Sequence, residues 1–75
     1  MSDPQLCKIG EFAAETGISI RTLHHYDDMG LLTPEKDPAS RHRLYGDRHL
    51  AQLQRISALK FLGYPLTEIR ELLAE

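Results

Sequence analysis

The apolar positions fall into four helical runs, interrupted once by a stretch that cannot be helical. Ile9, Phe12, Ala13 and Thr16 recur at intervals of three and four, which puts them on one face of a helix that Gly17 ends. Ser19 then carries a hydroxyl suited to accept from a free first-turn amide. Ile20 and Leu23 supply the apolar side of a second helix, expected to close near Met29 with Gly30 as its breaker. Two helices joined by a turn of about three residues containing glycine form a helix-turn-helix. The intervals of four and six from Ala13 to Gly17 to Leu23 sharpen the pattern. A small residue lets the helices cross closely, a glycine takes a positive φ cheaply, and a leucine plugs the crossing.

Beyond Leu31 and Leu32, "TPEKDPASRHRLY" excludes helix through Pro34 and Pro38, and "DPAS" signals a turn. Its flanks can pair as a short two-stranded hairpin, a wing. Alternation would turn Leu44 inward and leave Arg43 and Tyr45 pointing out. A third helix is expected from Asp47 to Leu62, where Leu50, Leu53, Ile56, Leu59, Phe61 and Leu62 cover more than one stripe. Such a helix is buried on two sides or offers an apolar surface to something else. Gly63 breaks it. Pro65 tolerates the start of a fourth helix with Leu66, Ile69, Leu72 and Leu73 on one face. Leu59, Gly63 and Ile69 repeat the four-and-six spacing, so the second half reads as another helix pair. The expected fold is mainly α: a winged helix-turn-helix followed by a second helix pair, as one domain over residues 6–75 behind a tail at 1–5.

Composition narrows the functions. A chain of 75 residues hides only roughly 60% of its unfolded surface, so a deep substrate cavity is not expected. One cysteine, Cys7, excludes an internal disulfide and suits a reducing cytoplasm. No apolar run approaches the ~20 residues of a membrane helix, and no signal-peptide pattern opens the chain. The formal charge of −2 is unevenly spread. Between Ser40 and Lys60 stand Arg41, Arg43, Arg48, Arg55 and Lys60 against Asp47 alone, while acids gather toward the ends. A weakly acidic chain can thus carry a basic patch.

The stretch "RTLHHYDDMGLL", Arg21 to Leu32, concentrates the candidate chemistry. Adjacent residues on a helix diverge by about 100°, so His24 and His25 cannot share a metal ion undistorted. His24 and Asp28 have a workable spacing but make only two ligands, and Cys7 supplies no obvious third. No cofactor or metal is expected. A histidine beside an aspartate is an incomplete catalytic set, and there is no glycine-rich phosphate loop or serine elbow. An enzyme is therefore not expected. A reading face remains. With Ile20 and Leu23 inward, Arg21, Thr22 and His25 turn outward and Tyr26 flanks them, residue types that suit a major groove. Asp27 and Asp28, near the helix C-terminus, repel phosphate and are assigned to the side away from DNA.

The segments "IGEFAAETGISIRTLHHYDDMGLLTP" and "RHRLYGDRHLAQLQRISALKFLGYPLTEIRELL" resemble the DNA-binding domain of the mercury-resistance (MerR) family of bacterial transcription regulators. The resemblance begins at about Leu6 and runs through nearly the whole chain. It implies that the second helix reads the major groove of promoter DNA and that a wing arginine and tyrosine hold phosphates. Carried over, Arg21, Thr22, His25 and Tyr26, with His24 beside them, look like the groove-facing set. Arg43 and Tyr45 look like the wing clamps, and Lys36, Arg41, His42 and Arg55 like further backbone contacts. Many members have Arg-Tyr-Tyr or Arg-Phe-Tyr where this chain has His24-His25-Tyr26. That exchange removes a permanent charge and is similar to the TipA-like branch, which responds to drugs and antibiotics. The family also implies a homodimer, built through a long helix beyond the winged domain. It implies RNA polymerase at the same promoter, a cytoplasmic location and no membrane. A reading from the residues alone stays open beside it: a winged module whose third helix binds a protein and whose wing is idle.

Overall fold

Local chemistry sets the helix boundaries. The computed structural model describes residues 6–74, so the N-terminal tail expected at 1–5 lies outside the described residues, as does Glu75. In chain order the elements are β1 (Cys7–Lys8), α1 (Ile9–Thr16), α2 (Ile20–Met29), β2 (Glu35–Lys36), β3 (Arg43–Tyr45), α3 (Asp47–Phe61) and α4 (Leu66–Leu73). Gly17 ends α1 in the left-handed region, φ 75°, and its N–H donates to the Ala13 carbonyl at 2.9 Å. Gly63 stands at φ 101° in the corresponding turn between α3 and α4. Both turns thus use glycine where a side chain would be strained, and the repeated four-and-six spacing reflects two helix pairs built alike. Leu23 and Ile69, the plugs of the two pairs, are fully buried.

The core joins both helix pairs to the sheet. Phe12 of α1, Leu23 and Tyr26 of α2, Tyr45 of β3, Leu53 and Ile56 of α3 and Ile69 of α4 all belong to it. Burying one such side chain contributes about 1.5–3 kcal/mol, so few positions can be spared in a domain of this size. Ile20 departs from its expected inward placement. It is 43% exposed, because the first residue of α2 lies at the rim of the crossing that Leu23 fills.

The wing is part of a three-stranded antiparallel sheet of order β1-β3-β2, not a two-stranded hairpin. Cys7 lies opposite Tyr45 and Lys8 opposite Leu44, while Glu35 and Lys36 face Leu44 and Arg43 on the other edge. A strand of two residues has no alternation to recognise, so β1 is defined only by main-chain pairing with β3. The expected sidedness of β3 is also reversed. Tyr45 is fully buried and stacks on Phe12, ring centroids 4.6 Å apart and planes within 10°. Arg43, two residues earlier, shares that face, and Leu44 takes the opposite one. Alternation over three residues leaves the buried face undecided when one of them is a tyrosine, which suits either environment.

The junction of β3 and α3 has an unusual cap. Gly46 is the N-cap of α3 and has no side chain to offer. Its own N–H donates instead to Nδ1 of His49, at 2.9 Å. Nδ1 is therefore unprotonated, and a neutral ring carries its hydrogen on Nε2. His49 is 4% exposed, sets its edge against Tyr45 at 5.5 Å, and has no hydrogen-bond partner for Nε2. Burial first, then the Arg48 guanidinium, pushes its pKa below the ordinary histidine value.

The folded chain binds a proton at His49 less readily than the unfolded chain, whose value is about 6.5. The contribution of His49 is fully present above that value and declines as pH falls through it toward the lower folded value. In urea titrations from about pH 8 to about pH 5, His49→Gln, which keeps an acceptor for Gly46 N–H, should lose less stability than wild type. Parallel profiles for the two proteins would refute the assignment. Separately, the buried Tyr45 Oη also lacks a partner. An unsatisfied buried hydroxyl costs about 1–3 kcal/mol, so Tyr45→Phe should leave stability unchanged or raise it. A drop of more than about 1 kcal/mol would show that the hydroxyl is bonded after all.

Candidate nucleic-acid interface

Helix α2 is capped so that its outer face stays available. Ser19 Oγ accepts from the Thr22 N–H at 3.1 Å and donates to Thr22 Oγ1 at 2.9 Å. Thr22, expected in the groove-facing set, thus has its hydroxyl tied to the cap and is half-buried. No acidic residue occupies the first turn, so the positive end of the helix dipole is not neutralised there. Arg21 and His25 lie four apart and are both exposed, so they share one face.

Tyr26 is not on that face. It follows Leu23 by three residues, which carries it to the inner side of α2, where it is 3% exposed. Lys60 of α3 donates from Nζ to Tyr26 Oη at 3.4 Å, and its ammonium stands 5.9 Å over the ring. The expectation that Tyr26 flanks the reading face is therefore corrected, as is the outward Tyr45. Both phenols pack in the core.

The wing turn is organised by Asp37. Its carboxylate accepts from Ala39 N–H and from Ser40 Oγ, each at 3.0 Å, and these bonds hold its pKa below the usual carboxylate range. The Asp37 N–H donates to the His42 carbonyl at 2.9 Å, and the Arg41 N–H donates to the Asp37 carbonyl at 2.7 Å. Lys36, Arg41 and His42 are exposed on this hairpin. Behind it, Arg48 of α3 pairs with Glu35 of β2 at 2.6 Å, an exposed pair worth at most about 1 kcal/mol.

Arg43 joins the wing to α2. Its Nε donates to Asp27 Oδ2 at 3.0 Å, with the two side chains 38% and 19% exposed. Asp27, assigned by its charge to the side of α2 away from DNA, pairs with the wing. It sits one turn beyond His24 on the side of α2 that the wing approaches. The pair anchors the hairpin beside α2 and offsets part of the Arg43 charge. His24 is half-buried and shares a cleft with Lys8, Ile9, Arg41, His42 and Arg43. Arg55 is exposed on α3 and makes no hydrogen bond or ion pair among the described residues. Lys8 escaped notice in the sequence because β1 carries no periodic signal, yet pairing with β3 brings it beside the wing.

Cys7 is half-buried, and burial followed by the carboxylates of Glu15 and Glu11 raises its pKa, which keeps the thiol protonated and a poor nucleophile. Among the described residues, no three His, Cys, Asp or Glu side chains converge as a metal site would require. No helix among the described residues is long and apolar enough to cross a membrane.

Comparison with known proteins identifies the family. Residues 7–75 match the family described as MerR HTH family regulatory protein. The transcriptional activator TipA of Streptomyces coelicolor is 46% identical over 65 residues, covering 87% of this chain and 26% of that protein. The chain thus spans about a quarter of the length of that relative. The N-terminal part of the Bacillus subtilis multidrug transporter activator, MtaN, superposes with a TM-score of 0.86 at 42% identity, covering 92% of this chain and 65% of that one. HiNmlR, a MerR family regulator lacking the sensor domain and bound to promoter DNA, superposes with a TM-score of 0.80 at 30% identity, covering 91% of this chain and 52% of that one. With a family match over almost its full length and relatives that are transcription regulators, not enzymes, this chain belongs to the MerR family of helix-turn-helix regulators and is a winged helix-turn-helix DNA-binding domain of that family.

Proposed function

We propose that residues 6–75 act as the module that reads duplex promoter DNA, with α2 in the major groove and the wing along the flanking backbone. One observation carries the reading. Arg21 and His25 are exposed on a helix whose N-terminal end is not neutralised, and the Arg43–Asp27 ion pair holds a basic hairpin beside it. Arg21 is assigned to a base edge, where a guanidinium can bond guanine twice, and His25 to a neighbouring base or phosphate. Lys36, Arg41, His42, Arg43 and His24 are assigned to phosphates, and Arg55 to a more distant one. Thr22 supports the helix end, and its methyl group is left for apolar contact. Tyr26 and Tyr45 act through packing.

Phe61 is 90% exposed and Leu62 70%, with Tyr64 and Leu72 also exposed nearby in the chain. So much apolar surface, at the α3–α4 turn and on α4, suits contact with a second copy of this chain. A homodimer would set two α2 helices against two half-sites, and bending the DNA between them costs only a few kcal/mol. Regulation through DNA shape would then act on RNA polymerase at the promoter, in the bacterial cytoplasm. The same exposed residues favour a second reading, a protein-binding module indifferent to nucleic acid. Salt separates the two, because only phosphate binding releases counterions.

Arg21→Ala should relax sequence preference, costing about 1–3 kcal/mol on the preferred site and little on others. Arg43→Ala should weaken binding to all duplexes and lower the slope of log affinity against log salt by about one. Fluorescence titration at several salt concentrations checks both. If neither substitution changes binding, the docking geometry is wrong, and wild-type retention independent of salt would favour the protein-binding reading.

A further inference from the structure

Three separate segments deliver basic side chains to one cleft. Lys8 comes from β1, His24 from α2, and Arg41, His42 and Arg43 from the wing, around Ile9 in a space of 220 Å³. Among the described residues no carboxylate lines it. Asp27 bonds Arg43 Nε without being part of the lining. Lys8, His24, Arg41 and His42 make no side-chain hydrogen bond or ion pair among the described residues, and Lys8 and Arg41 bring cationic side chains to the opening, with Asp37 beside His42 and the Glu11 carboxylate at the Lys8 N–H as the neighbouring acids. Like charges held this close repel, and an anion placed among them relieves the repulsion.

Arg41 adds a second, independent observation. Its φ is 66°, and it is the one non-glycine among the described residues in the left-handed region. The turn imposes that conformation, because the hydrogen bonds between Asp37 and Arg41 and between Asp37 and His42 close around its last position. Glycine takes such a φ freely, whereas a branched Cα with a side chain is strained there. An arginine therefore occupies the place where the backbone alone would favour glycine. Strain of this kind marks a site where the side chain does something the fold does not need.

We infer that this cleft is the seat of a single DNA backbone phosphate, contacted by Lys8 and Arg41, and that the strain at Arg41 is the cost of that contact. The inference rests on the DNA-binding reading and adds to it one residue outside the helix-turn-helix and wing, Lys8, and one geometric device. The charge of Arg41 matters, not its packing, since it is exposed at the wing tip.

The test uses a mixed-sequence duplex oligonucleotide, for which no operator need be known, and four variants of the whole chain. Arg41→Gly and Arg41→Ala both lose the guanidinium, but only glycine relieves the φ. Arg41→Gly should therefore melt above Arg41→Ala. Both should bind the duplex about tenfold more weakly than wild type, as loss of one charge-assisted contact requires, with a salt slope lower by about one. Lys8→Gln should show the same loss of affinity and slope. Arg41→Lys should keep the wild-type slope. If wild type binds in a salt-dependent way and Arg41→Gly and Lys8→Gln bind identically to it, the phosphate seat is refuted while the DNA-binding reading stands. If wild type fails to bind the duplex at low salt, that reading falls and takes the seat with it. Arg41→Gly melting below Arg41→Ala would overturn the role given to strain.

Discussion

The face-to-face contact between Phe12 and Tyr45 organises the rest of the molecule. It is the point where the sheet meets the first helix, with two rings 4.6 Å apart and nearly parallel in a fully buried setting. Once Tyr45 is committed to that side of β3, the strand's alternation leaves Arg43 no choice of face. Arg43 comes over α2 and meets Asp27. Tyr45 also presents its ring to the edge of His49, which accepts from Gly46 and so begins α3. Wing orientation, the ion pair to α2 and the start of the third helix thus share one origin. A domain with so thin a core can hold a projecting hairpin in place because the hairpin's last residue is itself core.

The electrostatics follow a similar logic. An overall charge of −2 would oppose binding to a polyanion if it were spread evenly. Folding gathers Lys8, His24, Arg41, His42 and Arg43 around one opening, while Glu11 and Glu15 face the hollow beside Cys7 on another part of the surface. Association with DNA responds to the local field within about a Debye length of the contact, roughly 10 Å at moderate salt, so acids farther off than that matter little to it. Three acids lie closer: Asp37 in the wing turn, Glu11 at the Lys8 N–H, and Asp27. Asp27 pairs with Arg43, and that contact trades some of the attraction for a fixed wing position.

Much of the architecture was legible in the residues, and particular elements show why. Helices α1, α2, α3 and α4 announce themselves because eight or more residues of 3.6-residue periodicity are bounded by Ser19, Gly17, Gly30 or Gly63, each with a steric reason for its place. The hairpin is marked by Pro38 and Asp37. Family resemblance, carried by "RTLHHYDDMGLL" and "RHRLY", assigned the fold and the DNA-binding role, and the family match over residues 7–75 agrees. The exposed placement of Arg21 and His25 also followed from helical spacing alone.

Short elements and side-chain partners did not follow. β1 has two residues and exists only because β3 lies alongside it, so Lys8 could not be placed near the wing in advance. Tyr26 and Tyr45 are amphipathic, and a phenol gives no local sign of which way it faces, so their burial was settled by Lys60 and Phe12 from distant parts of the chain. Asp27 was judged by its charge, yet Arg43, sixteen residues away, turned it toward the wing. By itself the sequence determined what depends on neighbours along the chain: periodicity, caps, turns and the residue types offered to a ligand. Only the tertiary structure decided which face of a three-residue strand is buried and which charges meet, because those outcomes depend on contacts between segments whose separation along the chain carries no local signal.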